Sequence, residues 1–287
     1  MSLNHPKLAA AAWTAAATVA LAAFTATALA QTQPKDREFT PQVGQAGKDV
    51  IWVPTPEDLV ERMLRMAQTT QKDFVVDLGS GDGRTVIAAA KKFGARSLGI
   101  EFNPDMVDLS NRNAVREGVT ANAKFIRGDI FETDFSQATV VTMYLLPGLN
   151  LKLRPKILDM RPGTRVVSHQ FNMDDWQPDE TTNLDGRRAY LWIVPAKVHG
   201  KWRLQSGADA WELALEQRYQ VLEGSIRLGA MDAGLRETRL VGDRIGFTFV
   251  DNTGVRREFT GRVNGPAMEG AVRPDNGPET RWTATRR

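Results

Sequence analysis

The sequence contains no cysteine and only three histidines, His5, His169 and His199. The first absence excludes disulfides, thiolate metal sites and a cysteine nucleophile. The second, with the three residues far apart, argues against a histidine-built metal cluster, and no metal ligand is assigned. Charge of one sign is also scarce. Lys and Arg total 37 against 34 Asp and Glu, a formal net charge of +3, which gives no strong argument for a nucleic-acid partner. Hydrophobic residues make up 42% and charged residues 25% of the 287 positions. That balance is ordinary for a soluble globular chain and excludes a disordered, collagen-like or polytopic membrane protein. The length suits one or two domains with a core large enough to need no staples.

The composition is uneven at the start. Residues 1–7 carry Lys7, residues 8–30 hold no charge and no proline, and 13 of the first 30 residues are alanine. A basic start, an apolar middle and the ending Ala28-Leu29-Ala30 read as a secretory signal peptide cleaved after Ala30. The expected location is therefore periplasmic or secreted, with no membrane span in the mature chain. The competing reading is a retained membrane anchor, for which the run is long enough. Residues 31–49, polar and rich in Gln, Gly and Pro, read as a flexible lead-in.

From residue 50 strand and helix signals alternate. Pro56-Glu57-Asp58 opens a helix, with Leu59, Met63, Leu64 and Ala67 at helical spacing. The short apolar run at 73–78 reads as a buried strand, and 97–101, 124–127, 139–144 and 165–171 read as further strands. Helical patterns at 85–93, 104–117 and 149–160 separate them. This alternation predicts an α/β fold: a Rossmann-like, doubly wound, mostly parallel sheet over residues 50–207. It would end in an antiparallel hairpin, 188–194 against 198–204, turning at His199-Gly200. From residue 208 to 287 the rhythm becomes short alternating runs, with turn signals at Glu223-Gly224, Gly234, Gly242-Asp243, Asn252-Thr253-Gly254 and Asn264-Gly265. Ile245, Phe247 and Phe249 alternate on one face, so this part reads as an antiparallel β meander or small barrel. Its arginines, among them Arg227, Arg239, Arg244 and Arg262, read as a solvated face.

The chemistry concentrates at three strand ends. The loop Gly79-Ser80-Gly81-Asp82-Gly83 ends one strand and opens a helix. Its glycines permit positive φ and close approach of a ligand to the backbone. Position 84 is Arg, so the dinucleotide fingerprint is broken, and no Gly-Lys-Ser/Thr follows for a phosphate loop. Glu101 ends the next strand, 22 residues after Gly79, where an acid suits ribose hydroxyls. Gly128-Asp129 ends the third, where a carboxylate can accept from an exocyclic adenine amine. A lone strand-end acid is usually a turn or cap residue, but the ordered set points to a nucleoside ligand.

Residues 75–83, Glu101 and Gly128-Asp129 resemble the motifs of class I, seven-strand S-adenosylmethionine-dependent methyltransferases, over roughly residues 50–204. Trp52-Val-Pro-Thr-Pro56 and the string Asp77–Arg84 are similar to the subgroup holding the mitochondrial seven-strand protein-lysine methyltransferases and, more distantly, the histone-lysine enzyme of this fold. The resemblance implies S-adenosyl-L-methionine as cofactor, with contacts from Asp77, Gly79, Gly81, Glu101, Asn103 and Asp129. Ser80 and Gly83 belong to the same loop, and Thr55 is implied near the methionine part.

Methyl transfer needs orientation and desolvation more than acid–base chemistry, because the cofactor carries the reactivity. The fourth strand ends Tyr144-Leu-Leu-Pro147, which lacks the Asp/Asn-Pro-Pro-Tyr/Phe pattern of adenine and glutamine methylation. Tyr144 is the candidate for the methyl-transfer channel, through a cation–π contact with an amine, or else a core aromatic. His169 is a candidate base or a hydrogen-bonded strand-end residue. Phe171 and Trp176 could form an aromatic lip or cover the sheet edge. Asp174 and Asp175 could attract a basic acceptor or cap a solvated turn. Three functions follow: a methyltransferase acting on an amine such as a protein lysine; a small-molecule or lipid methyltransferase; or an exported, non-catalytic binding protein on the same scaffold. The last draws weight from the leader, since the cofactor is made inside cells.

Overall fold

The computed structural model describes residues 39–287. The leader expected over residues 1–30 lies outside the described residues. Among those described, no helix is long and apolar enough to cross a membrane.

Two sheets organise the chain. The first begins with α1 (Glu57–Met66) and continues β1 (Phe74–Leu78), α2 (Arg84–Phe93), β2 (Arg96–Glu101), α3 (Pro104–Arg116), β3 (Ala123–Arg127), β4 (Val140–Met143), α4 (Pro147–Leu158), β5 (Arg165–His169), β6 (Glu180–Leu184) and β7 (Arg187–Ile193). Its order is β3-β2-β1-β4-β5-β7-β6. The first five strands run parallel, and β7 is antiparallel to both neighbours. Strands buried on both faces, such as Val75, Val76 and Leu78, need helices above and below. On one face α1 supplies Leu59, Val60, Met63 and Leu64, all buried, each worth about 1.5–3 kcal/mol of burial. A polar clamp fixes the strand starts at the end opposite the site. Asp73 pairs with Arg165, accepts from Thr139 Oγ1 at 2.7 Å and from Thr70 N–H at 2.8 Å, and so ties together the starts of β1, β4 and β5.

The second sheet comprises β8 (Gly200–Ser206), β9 (Asp209–Arg218), β10 (Val221–Leu228), β11 (Met231–Gly234), β12 (Arg236–Val241), β13 (Arg244–Val250), β14 (Arg256–Asn264), β15 (Ala267–Pro274) and β16 (Thr280–Arg286). These nine antiparallel strands have the order β11-β10-β9-β8-β16-β15-β14-β13-β12. The two ends of the sheet approach each other, with Leu235 N–H donating to Gly224 O at 2.9 Å and Thr238 Oγ1 to Leu222 O at 2.7 Å. The curled sheet is filled by Trp202, Trp282, Phe247, Phe249 and Phe259, and Phe247 stacks on Phe259 at 4.9 Å. Ile245, Phe247 and Phe249 all point inward, as their alternation predicted.

Three sequence expectations need correction. The terminal hairpin of the first sheet is β6 with β7, because β8 pairs with β9 and β16 instead. The change of sheet therefore falls between Ile193 and Gly200, ahead of residue 208. Alternation marks a strand but does not name its partner. Strand β6, Glu-Thr-Thr-Asn-Leu, is a polar edge strand with no apolar alternation to announce it. Glu223-Gly224 lies inside β10 rather than at a turn. The glycine there lets the Ala214 carbonyl of β9 come close.

Candidate active site

The strand order reverses direction between β1 and β4, which opens a crevice beyond the strands' carboxyl ends. The loop after β1 lies at its floor. Gly79 and Gly81 take φ of 76° and 54°, and a Cβ at Gly81 would stand 2.5 Å from Trp52 Nε1. The floor is thus bare backbone that only glycine can form there. Gly79 and Ser80 N–H both donate to Ile100 O, at 2.9 and 3.1 Å, which locks the loop onto β2. Ser80 Oγ is buried with no hydrogen-bond partner. Behind the loop Gly83 caps α2 at φ 83°.

Glu101, ending β2, is held by two backbone donors: Gly81 N–H to Oε2 and Asn103 N–H to Oε1, each 2.9 Å. Both oxygens keep a lone pair for a further donor. Asn103 in turn caps α3, its Oδ1 accepting Asp105 N–H at 2.9 Å. Asp129, after β3, accepts Phe131 N–H at 2.9 Å and pairs with Lys48 at 2.8 Å. The Lys48 ammonium holds its carboxyl below the usual range. Asp77, near the end of β1, is buried and accepts from Thr142 Oγ1 at 2.6 Å. Burial pushes its pKa up to about 7 against the pull of the Thr142 and Thr85 hydroxyls, with Glu101 and Asp82 adding repulsion.

The other end of the crevice is aromatic. Tyr144, half-buried just after β4, stands 3.8 Å from the His169 ring and 6.3 Å from Phe171, between centroids. His169 Nδ1 is hydrogen-bonded to Thr55 Oγ1 at 3.0 Å. Burial, with the nearby Arg187 charge, lowers the His169 pKa to about 4, so the ring is neutral at physiological pH.

The crevice brings together Thr55, Asp77, Gly79, Ser80, Gly81, Glu101, Asn103, Asp129 and Tyr144. Two predicted residues stand outside its lining. A Cβ on Gly83 would meet Phe125 and Ser110, so that glycine serves the packing of α2. His169 sits behind Tyr144 and Thr55. The lip also divides: Trp176 is fully buried against Tyr219 and Trp192, within the core rather than at a lip or a sheet edge. Asp175 is tied to Arg154, Arg218 and Tyr219, which hold its pKa near 2, leaving it committed to structure.

Sequence reasoning placed Trp52 to Pro56 in the family motif but missed the residues just before them. Residues 45–54 line the crevice, although residues 31–49 read as a flexible lead-in. Ala46 bridges to Ile51 and Trp52 overhangs Gly81. At the base Arg84 Nη1 donates to Thr55 O at 3.0 Å, while its guanidinium is paired with Asp82 at 2.6 Å. No local periodicity marks such a segment; the signal available was the indole of Trp52 three residues before Thr55.

A seven-stranded sheet with an antiparallel strand near its edge, a glycine floor and acids at the ends of β2 and β3 defines a class I S-adenosylmethionine-dependent methyltransferase. The residues fit that cofactor. The floor admits a ligand against bare backbone, and Glu101 is oriented by two amides with lone pairs to spare.

Comparison with known proteins agrees. The family model described as the ANTKMT methyltransferase domain matches residues 77–180. A protein-lysine N-methyltransferase of Saccharolobus islandicus is 43% identical over 151 residues, half of this chain and 94% of that protein. The adenine nucleotide translocase lysine N-methyltransferase of Mus musculus is 37% identical over 105 residues, covering 36% of this chain and 46% of that one. A crystal structure described as an RNA methyltransferase from Salinibacter ruber, with S-adenosyl-L-homocysteine, is 50% identical, covers 51% of this chain and 96% of that one, and superposes with a TM-score of 0.50. The chain belongs to the methyltransferase family of the Saccharolobus enzyme, and its activity is S-adenosylmethionine-dependent methyl transfer.

Proposed function

We propose that the methyl acceptor is a lysine of a protein. The observation that carries this reading is the half-buried Tyr144 ring on the crevice wall, backed by His169 and flanked by Phe171. Such a wall can hold an alkylammonium by a cation–π contact while excluding water. The likeness to the Saccharolobus protein-lysine enzyme over nearly its whole length supports it.

Each residue then has a task. When bound, the cofactor supplies a methyl group on a sulfonium, open to in-line displacement. Glu101 accepts from the ribose hydroxyls, Asp129 from the adenine amine, and Asp77 faces the amino-acid end as a carboxylate. Tyr144 orients the acceptor, Thr55 stands beside the methionine part of the cofactor, and His169, neutral, holds both. The acceptor amine loses its proton to solvent before transfer, since His169 is too weakly basic to keep it.

The test is to incubate the purified protein with radiolabelled cofactor and a cell-envelope extract. Label in protein that yields methyl-lysine on hydrolysis is the expected result. Label only in organic-soluble material, or only in ribonuclease-sensitive material, overturns the lysine assignment in favour of a lipid or an RNA. We further infer export from the alanine-rich leader. Protein from the envelope fraction should begin at Gln31; a chain recovered intact in the cytoplasm overturns that.

A further inference from the structure

The crevice contains a cation of the protein's own. Residues 44–52 form a strap closed on itself, with Gly44 N–H donating to Trp52 O, Trp52 N–H to Gln45 O and Gly47 N–H to Val50 O, at 2.9, 2.9 and 3.0 Å. At its tip Lys48 Nζ lies 2.8 Å from Asp129 Oδ2 and 3.0 Å from Asp49 Oδ2. It also stands 5.5 and 5.7 Å from the ring centroids of Phe102 and Phe131. The other Asp129 oxygen is engaged by Phe131 N–H. The ammonium therefore sits on Asp129 Oδ2, beside two aromatic rings, in the crevice that Lys48, Phe102 and Asp129 all line. A purine amine directed at Asp129 Oδ2 would compete with the ammonium for that oxygen.

We propose that Lys48 is a competing occupant and latch of the nucleobase subsite: it holds Asp129 until a purine amine displaces it onto Asp49. The proposal rests on the reading of Asp129 given above. Three features of the strap suit such a movement. Gly47, Lys48 and Asp49 are all exposed, so the tip moves without uncovering a core. Asp49, the adjacent residue, keeps the ammonium paired after it leaves Asp129, so no charge is stranded. The base of the strap is secured independently, by the Arg84 bond to Thr55 O and by Trp52 over Gly81, so the tip can shift while the floor stays in place. Lys48 is then a determinant of cofactor affinity, and one whose effect is opposite to that of an ordinary binding residue.

Calorimetric titration with S-adenosyl-L-homocysteine tests this, using the full chain, Lys48→Met and Asp129→Asn. At an ionic strength of about 0.01 M, Lys48→Met should bind about two- to fivefold more tightly than the wild type, the range of an exposed ion pair. The gap should narrow at about 0.15 M, where the Lys48–Asp129 attraction is screened. Equal or weaker binding by Lys48→Met at low salt, with Asp129→Asn weakened, overturns the latch and leaves the Asp129 assignment standing. Unchanged binding by Asp129→Asn overturns both.

Discussion

Asp77 is a carboxyl whose environment sets stability against function. It is buried at the end of β1, and its folded pKa of about 7 lies above the unfolded value of about 3.9. The native state thus binds more protons between those values, and stability falls as pH rises from about 4 to about 7. The upper limit of that loss is about 4 kcal/mol at pH 8, at about 1.4 kcal/mol per unit. Asp77→Asn should therefore melt higher than the wild type at about pH 8 and equally at about pH 4 in thermal scans, while binding S-adenosyl-L-homocysteine more weakly. A variant that melts lower at both pH values would show that the carboxylate is stabilised rather than strained. His169 has the opposite displacement. Its folded pKa of about 4 lies below the unfolded value of about 6.5, so it contributes stability that is complete above about 6.5 and lost as pH falls towards 4. Because it lies behind Tyr144 and is already neutral, His169→Gln should lower the rate without altering the shape of the pH–rate profile between about pH 6 and 9. Loss of an ionisation near 6.5 in the variant would return His169 to the role of base.

At the scale of elements, the loop between β1 and α2 separates binding from packing within a few residues. Gly81 faces the crevice under Trp52, whereas Gly83 faces Phe125 and Ser110 beneath α2. Gly81→Ala should cost about 1 kcal/mol for its positive φ and abolish cofactor binding, because the methyl meets the indole above the floor. Gly83→Ala should destabilise by about 2–4 kcal/mol, combining a left-handed alanine with overpacking, and retain binding in whatever fraction folds. Denaturant melts and calorimetry on the pair distinguish the two; equal loss of binding per folded molecule would contradict the division. The three strand ends of this site could be read from the chain because each acid or glycine directly follows a short strand, buried and apolar for β1 and half-exposed for β3, so local pattern places it at the sheet's rim. Lys48 could not. Its meeting with Asp129, 81 positions on, depends on how the strap folds back over the sheet, and nothing periodic encodes that. The partner of β8 was hidden for a related reason: a strand shows its period in sequence, while its neighbour is chosen by packing of the barrel core around Trp202 and Trp282.

At the scale of the molecule, the nine-stranded sheet is joined to the methyltransferase sheet where the acceptor side is built. The loop after β5 carries Phe171 beside Tyr144, and Asn150 of α4 pins that loop through Phe171 O and Asn172 O, each at 3.2 Å. A few residues on, Trp176 donates its indole N–H to Gln220 Oε1 at 3.0 Å and stacks on Tyr219 at 5.7 Å, while its backbone carbonyl accepts from Trp192 Nε1 at 2.8 Å. Arg154 of α4 and Arg218 at the end of β9 converge on Asp175 from the two sides. One loop thus carries Phe171, beside Tyr144, at its start and the contact between sheets at its end, so the second sheet braces the loop that sets Phe171 against Tyr144. With Trp176 intact the two sheets should unfold in a single calorimetric transition. Trp176→Ala removes a fully buried indole and its partners, which costs about 3–5 kcal/mol, and should split the transition in two. Its cofactor affinity should stay near that of the wild type, because the glycine loop, Glu101 and Asp129 lie on other strands. A Trp176→Ala protein that still melts in one step at an unchanged temperature would mean that the barrel merely adjoins the catalytic sheet, and the acceptor wall would then have to be held from within the first sheet, by Asn150 and Arg154.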